Sequence, residues 1–266
     1  MKKYIIYLIP ALFVLVLISC TKLNLQVADP DKAVIEGYLV PGENIEIKIT
    51  KQLDFVNSDT VVTPIEDLVV NFANTDQEVI LEYNETEKVY QTSEITIEPG
   101  LVYNIDFGYK DYTVSSSSYV PTKPVGFSAS ASSLTMEDSF RGYMSFEQVE
   151  LSWDNPDNEY FMVVVENIEA NPESLVDTSN FRPPRFFRNT PIQSNIYNMR
   201  AQNFSYFGTH YLILVKLNPE YAELYEGNGS NSLNLETPPG NIENGLGIFT
   251  GINTDTLMFE VIKGSY

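Results

Sequence analysis

The chain has one cysteine, one histidine and one tryptophan in 266 residues, and each scarcity excludes something. With Cys20 alone, no disulfide can form within the chain, so its fold must be held by core packing and hydrogen bonds. With His210 as the sole histidine and no second thiol, the usual zinc ligand sets cannot be assembled. A Ser-His-Asp triad would have to use His210, and no Gly-x-Ser-x-Gly turn is present to offer the serine. Positive charge is scarce too. Sixteen Lys and Arg face 36 Asp and Glu, a formal net charge of −20. Such a surface repels phosphate backbones, which argues against nucleic acid as a partner, and it opposes electrostatic adsorption to anionic lipid. What the chain has instead is 17 Tyr and 15 Phe, a composition suited to strands.

Only one long apolar run occurs, and it stands at the start. Lys2 and Lys3 precede residues 4–18, which carry no charge. Basic then apolar is the layout of a secretory signal. The run is shorter than the roughly 20 residues of a helical membrane span, and Pro10 removes a helix hydrogen bond inside it. It ends in Leu17-Ile18-Ser19-Cys20, which resembles the Leu-x-small-Cys box of bacterial lipoprotein signals, although Ile18 is bulkier than the residue usual there. The resemblance implies a signal peptide over 1–19, cleavage before Cys20 and lipidation of its thiol. The second reading is an ordinary secretory signal with a chance cysteine. Two acyl chains suffice for stable anchoring, where one is marginal. Residues 20–32 then read as a polar tether.

From Ala33 onward the period is two. Ile45, Ile47 and Ile49 alternate with Glu46, Lys48 and Thr50, and Pro41-Gly42 marks a hairpin turn before them. Leu68, Val70 and Phe72, then Val79, Leu81 and Tyr83, then Leu101, Tyr103, Ile105 and Phe107 repeat the pattern. Short strands at this spacing predict an antiparallel sandwich over 33–120. Ser115 to Ser118, followed by Pro121-Thr122-Lys123-Pro124, reads as a connector between domains. The second half, 125–266, continues with Val149, Leu151 and Trp153, an Asp154-Asn155-Pro156-Asp157-Asn158 turn, and a strand from Tyr160 apolar on both faces. Residues 210–217 are another buried strand, and 256–262 a last one. Asn218, Pro219 and Glu220 start the one convincing helix, near 218–226, with Tyr221, Leu224 and Tyr225 as its apolar stripe.

Pro99, Gly100, Tyr103 and Ile105 resemble the "Pro-Gly-x-x-Tyr" strand of transthyretin-like modules. Leu151-Ser152-Trp153, the acidic turn and the valines after Tyr160 resemble the second and third strands of a fibronectin type III-like sandwich, which implies a core role for Trp153. Phe207-Gly208-Thr209-His210, the helix Asn218-x-Glu220-Tyr221-Ala222-x-Leu224-Tyr225 and residues 241–251 resemble a family of Bacteroidetes envelope lipoproteins catalogued as domain of unknown function four-two-four-nine. That resemblance runs from Ile35-Glu36-Gly37 to the end. It implies lipid attachment to the cell outer membrane and a partner such as a TonB-dependent transporter, and it lends no catalytic residue.

The fold expected is therefore all-β: two antiparallel β-sandwich modules in tandem, one short helix, and a cleaved signal helix. The function expected is that of a non-enzymatic accessory or binding lipoprotein without a cofactor or metal, on the periplasmic face rather than the surface, because no acidic run follows Cys20. The alternative is a surface adhesin or glycan-binding lipoprotein. A carboxylate-dependent hydrolase is the remaining reading, since acids are plentiful. Residues 154–159 have the oxygen density for calcium but lack the glycine and terminal glutamate of an EF-hand loop. Phe181, Arg182, Arg185, Phe186, Phe187 and Arg188 hold three of the five arginines among three phenylalanines. Two readings stand for that stretch: a contact patch for a glycan, anion or protein, or a loop folding its rings onto the sandwich. Thr60 and Thr256 lie in Asp-Thr-aliphatic triplets that resemble Bacteroidetes O-glycosylation sites.

Overall fold

The alternating stretches become strands. The structure, a computed structural model, describes residues 32–53, 61–139, 142–176, 182–226 and 240–264, all within one compact unit of residues 31–266. In the first half these are β1 (Ala33–Leu39), β2 (Ile45–Lys51), β3 (Val70–Ala73), β4 (Glu78–Asn84), β5 (Val89–Thr92), β6 (Val102–Tyr109) and β7 (Tyr112–Tyr119). The second half supplies β8 (Ser128–Ala129), β9 (Ser133–Ser139), β10 (Gly142–Met144), β11 (Val149–Ser152), β12 (Tyr160–Asn167), β13 (Phe186–Arg188) and β14 (Ile196–Met199). After these come β15 (Gly208–Leu217), helix α1 (Pro219–Glu226) and β16 (Leu246–Lys263). The all-β expectation with one short α-helix holds among the described residues.

The strands run in the order β13-β12-β15-β16-β1-β2-β5-β4-β3-β6-β7, and β14-β11-β8 forms a separate sheet. Two large apolar clusters lie against them, and a small third lies at Met162, Val215 and Leu217. Ile35, Ile47, Phe72, Tyr103 and Phe107 build one, joined by Phe249 from β16. Trp153, Phe161, Leu212, Phe204 and Phe259 build the other, with Trp153 and Phe161 rings 5.5 Å apart. Burying each large ring contributes about 1.5–3 kcal/mol, so these rows of side chains set the register.

Three expectations need correction. The sheets are mixed rather than antiparallel throughout: β16 runs parallel to β1, pairing Ile35 with Gly247, and parallel to β9, pairing Val261 with Leu134. A strand far away in sequence can enter a sheet in either direction, whereas a hairpin cannot. The serines at 115–118 are not a connector but the middle of β7, paired with β6. Their small hydroxyls let the segment before β16 come close, Ser116 Oγ donating to the Asn241 carbonyl (2.8 Å). Finally, the last strand starts at Leu246, well before residue 256. Gly247 and Gly251 carry no side chain to extend an alternating pattern through its first part.

Candidate interaction face of the C-terminal sheet

In β12, Phe161, Val163 and Val165 enter the second cluster, so Met162, Val164 and Glu166 stand on the opposite face. Register carries that face across four strands. Arg188, Val164, Ile213 and Thr256 form one row, and Phe186, Glu166, Tyr211 and Met258 the next. Helix α1 covers one end, where Tyr221 packs on the cluster of Met162, Val215 and Leu217. The other end is open. Tyr211 is 38% exposed, Phe186 56% and Met258 67%, an apolar surface interrupted by Glu166 and Thr256.

The arginine-rich stretch lands at the edge of this sheet. Phe181 lies outside the described residues. Phe187 turns inward and packs on the second cluster, while Phe186 and Arg188 point to the outer face. Arg185 folds back, donating from Nη2 to the Glu169 main-chain oxygen and to Asn167 Oδ1 (3.4 Å). The Arg188 guanidinium sits 5.9 Å from the centre of the Tyr225 ring. Arg182 is exposed. None of the three forms an ion pair with a described carboxylate; the ion pairs among the described residues all use lysines. Rings are thus partly packed; Arg185 lies beside Glu169 and helps to lower its pKa, while Arg182 and Arg188 have no carboxylate partner among the described residues.

His210 lies beneath, buried. Its Nδ1–H donates to the Gly208 carbonyl (2.8 Å), leaving Nε2 to accept from Asn167 Nδ2 (3.3 Å). Asn167 Nδ2 also donates to the Phe207 carbonyl (3.0 Å), and Glu169 Oε1 accepts from the Thr209 N–H (2.9 Å). Burial depresses the His210 pKa, and the Gly208 bond and the Glu169 charge offset part of that. The Thr209 N–H holds Glu169 below the ordinary carboxylate range. Both imidazole nitrogens are engaged, which suits a structural base.

Cys20 and Thr60 lie outside the described residues. Thr256 lies inside β16 with its side chain exposed on the open face. In residues 154–159, Asn155 closes the turn itself, accepting from the Glu159 N–H (2.8 Å) and donating to its carbonyl (3.0 Å). Among the described residues no group of three His, Cys, Asp or Glu side chains could hold a metal ion. No described helix is long and apolar enough to cross a membrane. An open cleft of about 510 Å³ lies along Tyr38, Val40, Glu43, Asn44 and Glu46. Tyr38 meets Tyr221 of α1 edge-on at 6.2 Å.

A family model described as "Domain of unknown function (DUF4249)" matches residues 21–257. The chain belongs to the DUF4249 family. No curated protein matches it. In this DUF4249 chain the segments that carry the family resemblance hold the fold together. Asn241 acts as a strand surrogate, accepting from the Phe249 N–H (3.0 Å) and donating to its carbonyl (2.6 Å). Asn218 Nδ2 donates to the Tyr119 carbonyl (2.7 Å) and Ser118 Oγ (3.1 Å), and Glu220 Oε1 accepts from Ser118 (3.0 Å) and Thr250 (3.0 Å). This buried junction of β7, α1 and β16 escaped the sequence reading. Its only local signal was Asn218-x-Glu220, which also reads as a helix start.

Proposed function

We propose that this DUF4249 protein is a non-enzymatic binding lipoprotein, anchored through Cys20 to the cell outer membrane and working beside an outer-membrane transporter of the TonB-dependent kind. The basic-apolar-cysteine layout of the N terminus supports the anchor. The observation that carries the binding reading is the half-open face of β13, β12, β15 and β16. There Phe186, Tyr211 and Met258 are exposed beside Arg188, which pairs with no described carboxylate, on a chain of net charge −20. Exposed apolar groups rimmed by charge are what protein docking uses. The lipid would then act by raising the local concentration of this face next to its partner.

Cross-linking in intact cells, followed by mass spectrometry, tests this. Links from β13, β15 or β16 to an outer-membrane protein are expected. Links only to soluble proteins or to nothing would sink the proposal. A second reading, a glycan-binding lipoprotein, draws on the cleft beside Tyr38, where a ring lies near the carboxylates of Glu43 and Glu46 and the amide of Asn44. Protease treatment of whole cells separates the two, since a surface adhesin is cut and a periplasmic accessory is spared.

A further inference from the structure

β13 ends its sheet, and among the described residues only one of its sides is paired. The Asn167 N–H donates to the Arg185 carbonyl (2.8 Å) and the Asn189 N–H to the Val163 carbonyl (3.3 Å). These bonds fix the parity of the ladder. Residues 185, 187 and 189 turn their main-chain groups toward β12, so Phe186 and Arg188 turn theirs away. No described residue meets those outward N–H and C=O groups. Here the side-chain chemistry and the main chain point to the same occupant. We infer that β13 is the docking edge for an extended segment of an acidic partner protein, which adds to the sheet as a further strand.

Charge selects the partner. Arg182 and Arg188 are exposed and have no carboxylate within 4.0 Å among the described residues, although the chain carries 36 acids. A second copy would bring the same arginines to the same edge, placing like charges together. The pairing also dictates a pattern. Residues directly opposite Phe186 and Arg188 would stand on the outer face, so the segment needs an apolar side chain against Phe186. Two residues away it needs a carboxylate against Arg188. The edge is short, which limits the main-chain contribution and leaves selectivity to these two side chains. The inference deepens the binding reading above and rests on it for the setting alone.

The test uses the full chain in detergent and a fluorescein-labelled octapeptide Thr-Val-Thr-Asp-Thr-Val-Thr-Asp, in which valine and aspartate stand two residues apart on one face, read by anisotropy. The acidic peptide binds, and the same peptide with lysine in place of aspartate does not. N-methylation of the acidic peptide at alternate residues abolishes binding without altering the protein. Phe186→Pro removes an outward N–H and leaves the β12 ladder intact. It should therefore bind roughly fivefold more weakly than Phe186→Ala, the worth of about one hydrogen bond. Arg188→Ala weakens binding and flattens its dependence on salt. Equal binding of the lysine peptide, or of the N-methylated one, overturns the inference. If cells still yield cross-links to an outer-membrane protein while every peptide fails, strand addition is wrong and the binding reading stands.

Discussion

His210 shows how a lone titratable residue is absorbed by a fold. Its burial depresses the pKa below the ordinary 6.5. The groups facing it are Glu169, through its charge, Gly208 through its carbonyl and Asn167 through its amide, with Arg185 beyond. Between the folded and unfolded pKa values the unfolded chain binds the extra proton. Stability is therefore fully present above about pH 6.5 and falls as pH drops through the folded value. We expect the urea midpoint to drop between pH 7 and pH 5.5, and His210→Gln to remove much of that drop. An unchanged slope in the variant would show that another group is responsible. Asn218 makes the complementary case, a buried amide whose donors all have partners. Asn218→Ala should cost about 1–3 kcal/mol by leaving acceptors unmet. Asn218→Asp should cost more, because a carboxylate would face the Tyr119 carbonyl and Glu220's neighbours. Chemical denaturation of the two variants ranks them.

At the scale of elements, β16 is the strand on which both apolar clusters depend. Gly247 has φ +100°, and a Cβ there would overlap the Ile35 carbonyl oxygen of β1. Gly247→Ala should cost about 2–4 kcal/mol through strain and forced separation, lowering the melting temperature by roughly 5–15 °C. Gly42 also has a positive φ, +82°, but open space surrounds it, so Gly42→Ala should cost only about 1 kcal/mol. Calorimetry of the pair separates crowding from backbone preference. Gly247 also shows where the sequence was legible and where it was not. Strands β1, β2, β6, β12 and β15 follow directly from alternation or from continuous apolar runs, because hairpin partners and core faces impose those patterns locally. Helix α1 was legible from Asn218-Pro219-Glu220. The first half of β16 was not, since Gly247, Gly251 and Asn253 serve contacts with β1, β7 and Pro121 that lie over a hundred residues away. The same reason hid the candidate face. Phe186 and Arg188 announced themselves as a group, but Tyr211 and Met258 join them only through the registers of β12, β15 and β16.

For the whole molecule, the acidic surface and the proposed anchor act together. A chain of net charge −20 is repelled by anionic lipid, so electrostatics alone will not keep it at a membrane. If the thiol of Cys20 carries the lipid, removing it must release the entire folded unit. Cys20→Ala should therefore abolish incorporation of labelled palmitate and shift the protein from the membrane pellet to the soluble envelope fraction. The fold itself is expected to be indifferent, because Cys20 precedes the compact unit beginning at residue 31. Denaturation curves of the released chain and the anchored one should coincide. Cross-linking to the partner should nevertheless fall steeply, since loss of the tether removes the local concentration on which a short edge strand and a modest apolar face depend. Continued palmitate labelling of the variant would refute the anchor. Release without any loss of cross-linking would show that the docking face binds tightly enough to need no tether.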